Sequence, residues 1–563
     1  MISRRTFLSR SAATGVVLAA GARSDAVADS KGPAARTSTF VEILRTPDTV
    51  TAFAGLDKRL PLDRSGSHFG FRDVAVTISE QSDELGVQIA APTTALTHVH
   101  LRWLANVNST LICLGDHWER SYGDLAWRGI VPERVMPWYF ATYDGSHLHA
   151  YGVKTGAASL CFWQIDPEGV SLWLDLSNGG EGVLLGSRQL AAATILTRRG
   201  AANESPLAAI RAFCHQLSPA PRLPKGAVYG VNDWYYAYGN NNQQMLLTMT
   251  DLVADLAPSN RVKPYTVVDM GWKDGTPEFP SMAGFADKVK QKGVRPGIWV
   301  RPLEALSGAD SRLLLPDKRY GRRTERYHEL AYDPTIPDAL ALVLKKMKDL
   351  SDWGFELVKH DFSTYDLLGQ WGFEMGALPT IPGWHLNDRT RTNAEVILDL
   401  YKSIRTTLGE QIPILGCNTV GHLGAGIFEL QRTGDDTSGK EWERTRRMGV
   451  NTLAYRLPQH GAFFHLDADC VGITKAVSWE KTRLWLDVVA RSKTTLFISP
   501  EEGQVQTEQR RALREAFDIV TSNSAPAGPV DFFHDTTPED WKSGSNLNHY
   551  PWCGADGALP FSA

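Results

Sequence analysis

The chain is 563 residues long, 43 % hydrophobic and 22 % charged, which gives it room for two to four domains and excludes disorder as its main state. Lys and Arg number 59 against 63 Asp and Glu, a net charge of −4; this excludes the basic footprint of a nucleic-acid binder and offers no acidic tail. The excess is aromatic, with 17 Trp, 16 Tyr and 21 Phe, side chains that serve as core, interface or ligand platform.

In chain order, residues 1–28 read as an address. Ser3-Arg4-Arg5-Thr6-Phe7-Leu8 is a basic start, Ala12 to Ala22 is a short apolar stretch, and Ala26-Val27-Ala28 is a small-residue cleavage pattern. The order resembles a twin-arginine export signal, which predicts a mature protein in the periplasm or outside the cell; a plain basic N-terminus is the alternative. No later stretch holds the roughly 18 apolar residues of a membrane span, so no membrane is expected for the mature chain. The six Cys are widely spaced without a C-x-x-C pair, which argues against a zinc ribbon and for buried free thiols.

From residue 29 to 220 the apolar period is two. Val74, Val76 and Ile78 alternate with Ala75 and Thr77, and Leu172, Leu174 and Leu176 with Trp173 and Asp175; this predicts an all-β sandwich. At Pro221-Arg222-Leu223-Pro224 the rhythm changes to strands alternating with helices. Strands are expected at Val228–Trp234, Tyr265–Asp269, Arg295–Val300, Phe355–His360, Ile412–Cys417, Phe428–Arg432, Ala462–His465 and Thr494–Ser499. Helices are expected at Asn242–Leu256, Met282–Lys292, Pro337–Trp353, Ala394–Leu408 and Thr507–Val520. About eight strands in this alternation suit a (β/α)₈ barrel over 221–522, followed by an irregular tail over 523–563.

Such a barrel carries its chemistry at the C-terminal ends of its strands. Those ends read Asn232-Asp233-Trp234, Asp269-Met270-Gly271-Trp272, Trp299-Val300-Arg301, Lys359-His360-Asp361, Cys417, Arg432-Thr433-Gly434-Asp435-Asp436 and His465-Leu466-Asp467-Ala468-Asp469. Carboxylates that accept from hydroxyls and indoles that stack on a pyranose make a sugar pocket. Two facing carboxylates are the minimum for glycoside hydrolysis. Asp361 and Asp435 lie two βα units apart and meet that requirement. Lys359 shares a strand face with Asp361 and favours its ionised, nucleophilic form. In Asp435-Asp436 like charges adjoin, as suits a general acid, and either of the two can take that role. A lone strand-end Asp is as often a helix cap. By alternation His360 points away from the pocket and packs.

These motifs, from Val228 to Ile519, resemble the retaining α-galactosidases of glycoside hydrolase families 36 and 27, family 36 most closely. The resemblance implies a sandwich followed by a barrel, no metal or organic cofactor, and an exo-acting enzyme whose partner is an oligosaccharide or glycoside. It makes Asp361 the nucleophile and Asp435 the acid/base. Asp269 then binds the 4-hydroxyl and the 6-hydroxyl region, Trp234, Trp272 and Trp299 shape the pocket, and Lys359 and Arg326 hold ring hydroxyls. Arg432, Asp436 and Cys417 also border the substrate, Cys417 being equally well a core residue, while Asp467 and Asp469 support the site from behind. Three departures stand out: Met270 where the family has a second Asp, Ser363 where it often has Asn, and Arg301-Pro302-Leu303-Glu304 after Trp299. They leave open a β-L-arabinopyranosidase or α-N-acetylgalactosaminidase, a galactosyl-transferring enzyme, or a non-catalytic carbohydrate-binding protein. Linkage and oligomeric state stay open as well.

Overall fold

Parallel strands need long crossovers, and the region after Lys225 supplies them. The computed structural model describes residues 40–257, 261–321, 330–555 and 557–559; the export signal and Arg326 lie outside the described residues. The parallel sheet is built from β1 (Tyr229–Asn232), β2 (Tyr265–Val268), β3 (Arg295–Val300), β4 (Leu357–His360), β5 (Ile414–Gly416), β6 (Leu430–Arg432), β7 (His465–Asp467), β8 (Val471–Ile473) and β9 (Leu496–Pro500). Its spatial order is β7-β6-β5-β4-β3-β2-β1-β9-β8. At the far flank, the Thr495 N–H donates to Leu466 of β7 at 2.9 Å, and Thr495 bridges Asp467 in parallel. The sheet therefore curls back on itself, and the C-terminal ends of its strands share one rim. Gly230 permits the close β1–β2 approach: its φ is +148°, and a Cβ there would sit 2.0 Å from the Tyr265 carbonyl.

The helices fall where the apolar period changed. Those expected span Gln243–Leu256, Met282–Gln291, Pro337–Asp352, Asn393–Leu408 and Thr507–Thr521, and Trp479–Ser492 is a further long helix that was not expected. Asn242, Ser281 and Thr392 cap three of them by accepting from main-chain N–H groups of the first turn.

Before the parallel sheet the chain forms a six-stranded and a nine-stranded antiparallel sheet. Val74, Val76 and Ile78 are buried while Ala75 is exposed, as a half-buried strand requires. The sheets meet through rings such as Phe140 and Trp163, 5.8 Å apart. Three expectations need correction. The strand expected at Ala462–His465 runs instead over His465–Asp467, residues 461–463 forming a turn. The β region also holds a helix, Pro206–Leu217, capped by Ser205 with Pro at its first turn. The tail is not merely irregular: Gly528–Pro529, Asp540–Ser543 and Asn546–His549 form a small antiparallel sheet. Its Trp552 is buried and its carbonyl accepts from the Trp442 indole at 2.9 Å. All six Cys are free, and only Cys553 is not buried. Among the described residues no helix is long and apolar enough to cross a membrane.

Candidate active site

Asp361 follows β4 directly and is 5 % exposed. Its Oδ1 accepts from the Phe362 N–H at 2.7 Å and the Asn418 N–H at 3.0 Å, and its Oδ2 from the Trp299 indole at 3.0 Å. All three donors suit an ionised carboxylate, which only accepts. Phe362 is held at φ +67°, a left-handed backbone that costs a bulky residue energy and recurs at functional sites. Its ring stands edge-on to Trp299, 6.2 Å away, and Trp371 stacks on Tyr365 at 4.4 Å beside it.

Asp435 follows β6. Arg120 meets its Oδ1 at 2.9 Å, and Arg444 meets its Oδ2 at 2.8 Å. Asp436 lies 3.5 Å from Arg432 and 3.7 Å from Arg120. The like-charge pair expected here is thus interleaved with three guanidiniums. Arg432 is anchored from below by Asp469 at 2.7 Å, and its Nη1 approaches the Cys417 sulfur at 3.5 Å. Burial first, and the Asp361 charge second, push the Cys417 thiol well above its ordinary range, so this sulfur stays protonated and borders the site without being a nucleophile.

Lys359 does not pair with Asp361, as its strand face had suggested. Its ammonium reaches Asp269 Oδ2 at 2.7 Å, and both side chains are almost wholly buried. Burial is the largest influence and opposes the ammonium, but the Asp269 charge together with the neighbouring Cys417 and Cys470 outweighs it, and Lys359 is raised well above its usual range. Asn232 also donates to Asp269 Oδ2, at 2.8 Å. Trp234 sits in the apolar interior of the sheet with Tyr235, Tyr265 and Leu415, and Met270 packs against both this cluster and the one around Trp299 and Phe362. Trp272 is placed behind Trp299: its indole donates to the Trp299 carbonyl at 2.8 Å, and its ring meets Trp353 edge-on. His360 packs as alternation required, against Tyr401 and Phe428. Burial lowers its pKa to about 3, so it is neutral.

Several site residues were given no role of their own by the sequence reading. Asp233 is fully buried and accepts from the Asp269 N–H at 2.7 Å and from Asn241 at 2.7 Å. Burial, then the Asp269 charge, raise its pKa from 3.8 to about 7. A carboxyl whose folded pKa is raised contributes stability fully below pH 3.8, and this is lost as pH rises through about 7. Asp233→Asn keeps an acceptor and removes the charge. Its stability relative to the parent should therefore grow between pH 5 and pH 8 by at most about 2–3 kcal/mol. Denaturation midpoints at those two pH values check this; a pH-independent difference refutes it.

Glu119, Arg120 and Tyr122 come from the antiparallel region and Arg444 from the short helix Trp442–Arg444 after β6. Glu119 is buried, accepts from the Tyr122 hydroxyl and the Asn418 amide, and takes the Gly372 N–H at 3.0 Å. No run of strand-end motifs marks these residues; the one available signal was the polar run Asp116-His117 and Glu119-Arg120-Ser121 around Trp118, after the apolar stretch Leu111-Ile112-Cys113-Leu114.

Solved structures share this architecture. An α-galactosidase from Thermus thermophilus, solved with p-nitrophenyl α-D-galactopyranoside, matches at a TM-score of 0.59, covering 86 % of this chain and 99 % of its own at 16 % identity. The chain has its fold. The family 36 α-galactosidase AgaA from Geobacillus stearothermophilus, solved with 1-deoxygalactonojirimycin, matches at 0.57 over 84 % of this chain and 72 % of that one, at 12 % identity. At these identities the likeness is one of fold, and no family model matches the sequence. Fold alone does not carry chemistry from one chain to another, so function rests on the residues at the rim.

Proposed function

We propose that the chain is a retaining, exo-acting glycoside hydrolase of α-galactosidase type. An antiparallel sandwich (29–220) would support a (β/α)₈ catalytic barrel (221–522), and the leader around Arg4-Arg5 would export it folded. The observation that carries the reading is the pairing of Asp361, held by three donors, with Asp435 on the same rim. In this mechanism an Asp361 oxygen bonds to the anomeric carbon while the bond to the leaving oxygen breaks. That oxygen takes its proton from Asp435. Water then attacks the same carbon, Asp435 accepts its proton, and the bond to Asp361 breaks with net retention. No metal takes part in these steps. Asp269 and Lys359 offer a fixed ion pair to ring hydroxyls, and Trp299 offers an indole face beside the nucleophile.

A second reading concerns the sugar. Met270 lies between the two apolar clusters, an apolar wall that suits a galactose-like ring without a polar C6 substituent, such as β-L-arabinopyranose. Aryl glycosides of α-galactose, α-N-acetylgalactosamine, β-L-arabinopyranose and α-glucose test both readings. We expect turnover of α-galactoside or β-L-arabinopyranoside. Turnover of α-glucoside alone overturns the sugar assignment, and no turnover of any of them overturns the enzyme.

A further inference from the structure

The site is assembled from two regions far apart in the chain. Residues 116–125 leave the antiparallel region and wedge between two rim loops of the parallel sheet. Ser121 bridges Gly434 in parallel: its N–H donates to the Thr433 carbonyl, and its carbonyl accepts from the Asp435 N–H, both at 2.9 Å. On the other side, Trp118 donates to the Gly376 carbonyl at 2.8 Å and Glu119 accepts from the Gly372 N–H. Close packing fixes the wedge. A Cβ on Gly372 would meet Glu119 at 2.5 Å, and one on Gly123, within the wedge, would meet the Arg447 carbonyl at 2.7 Å. Arg456 ties the wedge down through Asp116 at 2.7 Å and the Glu119 carbonyl.

One segment therefore reaches both candidate catalytic carboxylates. Glu119 holds the Asn418 side chain, and the Asn418 main-chain N–H holds Asp361. Arg120 holds Asp435 directly. The two cations on Asp435 are not equivalent: the Arg120 side chain is 6 % exposed and that of Arg444 19 %. Arg120 is a buried fixture on Oδ1, whereas Oδ2 lies on the more open side.

We propose that Arg120 is a positioning residue for Asp435, aiming its Oδ2 at the leaving-group oxygen, so that the acid step on the parallel sheet depends on a side chain delivered by the antiparallel region. The proposal rests on the assignment of Asp361 and Asp435 given above. Arg120 touches no reacting atom; it acts by fixing the carboxyl that does. Its loss therefore weakens proton delivery and leaves nucleophilic attack intact. Substrates differ in how much they need that proton: a p-nitrophenolate leaves unaided, whereas methoxide does not.

The test compares p-nitrophenyl and methyl α-D-galactopyranoside as substrates of the full chain and of Arg120→Gln and Arg120→Lys. For Arg120→Gln we expect kcat/KM on the methyl glycoside to fall about 10²-fold, through kcat, and that on the p-nitrophenyl glycoside to fall less than about tenfold. Arg120→Lys keeps a cation but not the fork, and should give an intermediate ratio of the two rates. Equal losses on both substrates, or none, overturn the proposal. Should Arg120→Gln fail to fold, the Lys variant decides alone: a ratio shifted from the parent supports the proposal and an unshifted ratio refutes it. A 2-fluoro galactoside applied to the parent separates the two levels. An adduct on Asp361 together with a parental rate ratio in the variants removes only the Arg120 proposal. Absence of the adduct together with no turnover of any of the four aryl glycosides named above removes the underlying assignment, and this proposal with it.

Discussion

Asp361→Ala should lower turnover of an aryl glycoside by at least about 10⁴-fold, because without the carboxylate no covalent glycosyl-enzyme forms and the two-step route closes. The vacancy is itself diagnostic. Azide can enter where the side chain stood and attack the anomeric carbon from that face, giving a glycosyl azide of inverted configuration. Loss of an acid/base carboxyl behaves differently: azide then intercepts the intact glycosyl-enzyme and the product retains configuration. The stereochemistry of the azide therefore assigns Asp361 and Asp435 independently of any rate. Ala also strands the N–H groups of Phe362, Asn418 and Trp299 that converge on the carboxylate, so some loss of stability is expected. Asp361→Asn, which still accepts from main-chain N–H groups, separates that loss from the chemical one. Activity within tenfold of the parent in either variant would exclude Asp361 as the nucleophile.

The rim was legible where local pattern and position coincide. Short apolar strands followed by Asp, Trp or Lys placed Asp269, Trp299, Lys359, Asp361 and Asp435 at strand ends, and period-two alternation turned His360 away from the pocket. Contacts between distant segments were not legible. Sequence placed Lys359 beside Asp361 because they share a strand face, but a long flexible ammonium goes to the carboxylate that best compensates its burial, and that is Asp269 on the second neighbouring strand. Like charges at Asp435-Asp436 read as uncompensated because Arg120 lies more than 300 residues earlier, and nothing in a strand-like region announces which side chain will leave it. Trp272 read as a wall because it ends a strand, yet Gly271, at φ +120°, turns the chain there, and the ring packs on Trp353. The helix Pro206–Leu217 was signalled by Ser205-Pro206, a cap followed by proline, but the surrounding period of two masked it.

Asp269→Ala should be the most destabilising single change at the rim. It leaves the Lys359 ammonium buried without its carboxylate, and breaking one side of a buried pair costs about 3–5 kcal/mol. The Asn232 amide loses its acceptor at the same time. On the proposed function sugar recognition should also fail, since the ion pair proposed to hold the ring hydroxyls disappears, so kcat/KM should fall further than the folded fraction alone explains. A double-variant cycle separates these effects. Asp269→Leu with Lys359→Met replaces both charges by apolar side chains, and such replacements are often neutral. The double variant should therefore regain most of the stability lost in Asp269→Leu, and recover none of the activity. Denaturation midpoints give a coupling free energy, expected to exceed about 2 kcal/mol for a pair in direct contact. If the two single-variant losses simply add in the double variant, Lys359 is satisfied elsewhere and the pair is not the unit that organises this side of the rim. If stability is regained and activity with it, the pair holds the fold and another group recognises the sugar.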